Sequence, residues 1–95
     1  MWWPQGSNFP DEVATVGDMI YFSWNPDFAH NVYIHPTGTC NETGAIFIGD
    51  TPPVNYTFTE NDVGSSIMFA CDIVDHCELG QAVTVDVVPP TNVIE

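Results

Sequence analysis

No apolar stretch in this chain runs far before Pro, Gly, Asn or Asp interrupts it. Met19-Ile20-Tyr21-Phe22-Ser23-Trp24 stops at Asn25-Pro26, and a run from about His30 to His35 stops at Pro36. Ala45-Ile46-Phe47-Ile48 stops at Gly49-Asp50-Thr51-Pro52-Pro53. Segments this short cannot sustain the amphipathic period of a helix, and their β-branched and aromatic residues suit a pleated surface. Further strands are predicted over Glu12–Val16, Asn55–Thr59, Ser66–Cys71 and Ala82–Val88. In the last, Val83, Val85 and Val87 share one face and Thr84, Asp86 and Val88 the other. Gly17-Asp18 and the stretch from Glu60 to Gly64 read as turns. About six or seven short strands so punctuated predict an all-β sandwich or barrel, with any helix confined to one turn inside a loop.

The chain has 95 residues, 44% of them apolar, which is room for one domain with one modest core. Residues 1–11 form an irregular lead-in, 12–88 the domain, and 89–95, opening on Pro89-Pro90, a tail or linker. Trp24, Phe22 and Phe69 belong to the core on this reading.

Thirteen acidic residues stand against no Lys or Arg, a net charge of -13. Nothing neutralises phosphates, so nucleic acid and anionic membrane surfaces are poor partners. A cationic protein partner would be steered toward such a surface, and the same charge would also keep the chain soluble in a salty medium. No stretch is long and apolar enough to span a membrane. Met1-Trp2-Trp3-Pro4 lacks the basic and apolar segments of a signal peptide. Asn41-Glu42-Thr43 and Asn55-Tyr56-Thr57 are N-glycosylation acceptor patterns, which suit a secreted or cell-surface setting.

The chemistry concentrates in Cys71-Asp-Ile-Val-Asp-His76-Cys77-Glu-Leu-Gly-Gln81, between two predicted strands. A thiolate, an imidazole and a side-chain amide follow one another at equal spacing, and a second imidazole, His30, is available upstream. Two His, one Cys and a weak fourth donor make up a blue-copper ligand set. Zinc can use the same donors, but copper(II) outcompetes it at equilibrium. The bland alternative is a buried free thiol at Cys71, Cys40 paired elsewhere, and two ordinary histidines. His35, at a strand end bounded by Pro36, reads as a surface residue.

These residues resemble the cupredoxins, and among them the phytocyanins of the stellacyanin-like branch. Cys71-x4-His76-Cys77-x2-Gly80-Gln81 matches that family's terminal copper loop, and His30-Asn31-Val32 its first-ligand strand. Val16-Gly17-Asp18-Met19-Ile20-Tyr21-Phe22 resembles the strand before it. The resemblance implies a Greek-key β-sandwich of about six to eight strands. It implies one copper ion held by His30, Cys71, His76 and axial Gln81, with Asn31 bracing the ligand loop. It also implies a Cys40–Cys77 disulfide, leaving Cys71 as the metal thiolate.

The function expected is a monomeric one-electron carrier rather than an enzyme, working with a redox partner protein. A protein-filled ligand set leaves no open position for substrate, and no His-x-His pair exists for a further copper cluster. Gln81, harder than a thioether, favours Cu(II) and predicts a low potential. The alternatives are extracellular copper capture or buffering, and a recognition or adhesion module of a larger surface protein.

Overall fold

A computed structural model describes residues 1–3 and 8–90. Residues 4–7 of the lead-in and 91–95 of the tail lie outside the described residues. Seven strands follow in order: β1 (Glu12–Ala14), β2 (Met19–Phe22), β3 (Val32–Ile34), β4 (Ile46–Gly49), β5 (Val54–Thr57), β6 (Ser66–Ala70) and β7 (Ala82–Val87). The one helical element among the described residues is a single 3-10 turn, Glu60–Asp62. Every predicted strand is present. Most are shorter than predicted, because the sheet ladder ends where the chain bends into a loop.

One sheet has the order β1-β7-β6-β3-β4 and the other pairs β2 with β5. β1 runs parallel to β7, while the remaining pairs are antiparallel. Val83, Val85 and Val87 are all buried, as the alternation in β7 predicts. Phe22 from the small sheet meets Phe69 from the large one with ring centroids 5.2 Å apart. Phe58 and Tyr56 also pack edge-on against Phe69. Trp24, Phe22 and Phe69 are therefore core, as expected.

The segment before β1 contributes to that core. Trp3 is 0% exposed, packs edge-on against Phe22 with centroids 4.6 Å apart, and stacks on Phe9. Its main-chain N–H donates to Ser23 O at 2.7 Å, and Trp2 bridges Ser23 in parallel. A Trp of this size, fully buried, outweighs what the irregular sequence around it suggests.

The non-sequential neighbours β3 and β6 set up the functional end. Their register places Tyr33 opposite Ala70 and Ile34 opposite Phe69. Because they run antiparallel, the residues just before β3 lie beside those just after β6. His30 and Cys71, far apart in sequence, meet for that reason.

Candidate metal centre

Cys71 leaves the end of β6 fully buried, and the loop that follows returns to β7 at Ala82. Main-chain bonds close this loop on itself. Cys71 N donates to Gln81 O at 3.1 Å and Gln81 N donates to His76 O at 3.0 Å. His76 N donates to Ile73 O, Leu79 N to Asp75 O, and Gly80 N to Cys77 O. Gly80 has φ +100, and a Cβ there would collide with the Asn8 side chain, so only glycine fits. Val74 also sits at positive φ (48°), a conformation costly for a β-branched residue, and its side chain is 85% exposed.

Within this frame one donor atom each from His30, Cys71 and His76 lies within 4.8 Å of the others. Cys71 Sγ is 3.4 Å from His76 Nδ1 and 4.0 Å from His30 Nδ1. The His30 and His76 rings are 5.2 Å apart, and Trp24 meets His30 edge-on. Asn31 N donates to Cys71 Sγ at 3.5 Å, and Asp72 N donates to Asn31 Oδ1 at 2.7 Å. Asn31 thus ties the two ligand segments together.

The titration behaviour suits a metal. Burial lowers the His30 pKa, with the nearby His76 charge adding to it, which keeps the ring neutral and able to ligate. Burial pushes the Cys71 thiol up, against the N–H groups of Asn31 and Ile73 that pull it down. No Lys or Arg exists to hold a thiolate here, so a cation in the group is what would ionise it.

Gln81 is 0% exposed, and its two amide ends are treated differently. Nε2 donates to the Trp3 carbonyl at 2.7 Å. Oε1 is buried with no hydrogen-bond partner. An amide oxygen left unpartnered in the interior is costly, by about 1–3 kcal/mol, unless something else accepts its lone pair. Trp3 fixes the amide the right way round, and its indole Nε1 donates to Asn31 O at 3.1 Å. Two soft-to-borderline nitrogens, one thiol sulfur and one orphaned oxygen are a donor set that fits copper.

Cys40 and Cys77 form a disulfide, and Cys71 is the free cysteine. The bridge anchors the loop immediately after His76, as the resemblance implied. Asn41 and Asn55 are both exposed, and Asn41 Oδ1 accepts from Thr43 N at 2.8 Å. His35 is a correction. It is 2% exposed rather than a surface residue, because its ring turns inward to Asp72. Pro36 ends the strand but does not turn the preceding side chain outward. Trp3 and His35 are what reading the sequence missed, and a large apolar Trp within the polar lead-in was the one available signal, for Trp3.

Comparison with known proteins agrees with this geometry. No protein-family model matches the chain, and no curated protein sequence does. Among solved structures, cucumber stellacyanin in its Cu2+ form is similar with a TM-score of 0.68 and 27% identity, covering 84% of this chain and 74% of that one. Cucumber basic protein, a blue copper protein, gives 0.60 and 21%, covering 90% of each chain. Spinach plantacyanin gives 0.61 and 17%, covering 90% of this chain and 92% of that one. The last two share the fold. Fold and site together define a cupredoxin with a place for one copper ion. Within that class its likeness is to the phytocyanin-like cupredoxins.

Proposed function

We propose that the protein is a one-electron carrier whose copper would be held by His30, Cys71 and His76, with Gln81 as the weak fourth donor. The observation that carries this reading is the converged His/Cys/His group, together with the buried, unpartnered Oε1 of Gln81, a residue whose main chain bonds those of Cys71 and His76. Copper, when bound, supplies the one-electron couple. The chain supplies constancy: β3 and β6 hold His30 and Cys71 at adjoining strand ends, while the loop's internal bonds hold His76 and Gln81. Donors that do not move between oxidation states keep the reorganisation cost of electron transfer low.

The amide oxygen of Gln81 is harder than a thioether and favours Cu(II), so the potential is low for this class of site. Voltammetry of Gln81→Met tests the assignment: the potential should rise, and an unchanged or lower value would remove Gln81 from the ligand set.

His76 is half-buried, and Val74 and Leu79 on its loop are exposed. They offer a small apolar contact around the imidazole, while the charge of -13 steers a cationic redox partner. The disulfide favours an oxidising, extracellular setting, and exposed Asn41 and Asn55 are accessible there to glycosylation. No helix among the described residues is long and apolar enough to cross a membrane.

A further inference from the structure

His35 is absent from the donor set, yet it is among the most completely buried side chains in the molecule. Its backbone is fixed on both sides, since its N–H donates to Met68 O at 2.8 Å and its carbonyl accepts from Gly38 N at 3.0 Å. Nδ1 lies 2.7 Å from the Thr39 carbonyl oxygen, and Nε2 lies 2.6 Å from Asp72 Oδ1. A carbonyl oxygen only accepts, so Nδ1 carries a proton. Nε2 and Asp72 Oδ1 share the other hydrogen bond across 2.6 Å. Asp72 is itself almost wholly buried, at 7% side-chain exposure, and the chain has no Lys or Arg to accompany it.

The two acceptors matter for where they stand. Asp72 follows Cys71 directly, and its own N–H donates to Asn31, so the residue behind the thiol is gripped from two sides. Thr39 precedes Cys40, which is bonded to Cys77, the residue after His76. One ring therefore holds the residue after Cys71 directly and, through Cys40–Cys77, the residue after His76.

We propose that His35 is a positioning residue of the copper centre. It is hydrogen-bonded through both ring nitrogens, bracing the main chain beside Cys71 directly and beside His76 through the Cys40–Cys77 disulfide. Its consequence for copper rests on the function proposed above. Its hydrogen bonding is a property of the chain with or without metal.

Long-range 1H–15N spectra of the metal-free protein and of the reduced copper protein should show a proton on His35 Nδ1. An Nδ1 without its proton overturns the brace. His35→Gln should weaken copper binding by on the order of tenfold, as loss of a residue supporting metal ligands does. It should also shift the potential, because the Asp72 carboxyl beside the thiolate then loses its hydrogen-bond partner. Adding Asp72→Asn to His35→Gln removes that carboxyl too and should recover most of the potential while affinity stays low. A double variant shifted as far as the single one would reduce His35 to packing and overturn the proposal, as would a single variant with unchanged affinity and potential. If His35→Gln does not fold, the Nδ1 proton decides. A wild-type protein that takes up Cu(II) without an intense thiolate band would sink the copper reading instead, and the Nδ1 proton would still judge the brace.

Discussion

Two connections bracket β6, and they treat their polar side chains in opposite ways. Before the strand, the 3-10 turn Glu60–Asp62 satisfies what it exposes. Asp62 accepts from Thr59 N at 2.9 Å and from Tyr56 OH at 2.9 Å, and Gly64 N donates to Val87 O. After the strand, the loop from Cys71 to Gln81 satisfies its main chain as fully, yet it brings the Cys71 and His76 donor atoms together with that of His30 and leaves Gln81 Oε1 buried without a partner. A paired carboxylate at a surface turn stabilises a fold. Unpaired buried donors on a rigid backbone mark a place kept for a ligand.

The comparison breaks most directly at Cys71. Cys71→Ser replaces the one thiolate donor with an alcohol, so the intense visible band of the copper protein should vanish. Stability of the metal-free form should fall little, because the change is small in volume. A band that survives in the variant would leave the loop no different in kind from the turn.

The disulfide comes next in size. Cys40 and Cys77 are 37 residues apart, and closing a loop of that length contributes about 4 kcal/mol in the chain-entropy model. Urea unfolding of metal-free Cys40→Ser/Cys77→Ser should show a loss of that order. A loss confined to metal uptake, with unfolding unchanged, would make the bridge a loop-shaping device only.

The strands and the loop donors were legible because each depends on local order. Pro and Gly punctuation placed every strand, and the spacing Cys71, His76, Gln81 placed three donors on one connection. His30 and the Cys40–Cys77 bridge were implied by resemblance, and the structure brings both to the loop. What could not be read were the contacts fixed by register between distant segments. Trp3 orients an amide 78 residues away, and His35 bonds a carboxylate 37 residues away. Periodicity reports which face of an element is buried. It does not say which distant carbonyl waits there.

The smallest effect sharpens the satisfied side of the comparison. Tyr56 donates its hydroxyl proton to Asp62, and burial first, then that hydrogen bond and the Asp62 charge, push its pKa up from 10.0 to about 12. A folded-state pKa above the ordinary value means the contribution is fully present below about pH 10 and is lost as the pH climbs through 12. Tyr56→Phe should therefore cost roughly 1 kcal/mol or less at neutral pH, the lower part of the range reflecting a half-buried, water-screened bond to a charged acceptor. The gap between variant and wild type should stay level up to about pH 10 and close between 10 and 12. Urea midpoints across that range measure it. A gap that widens with alkali would mean that the Tyr56 hydroxyl loses its proton more readily in the folded chain, so that Asp62 is not holding it.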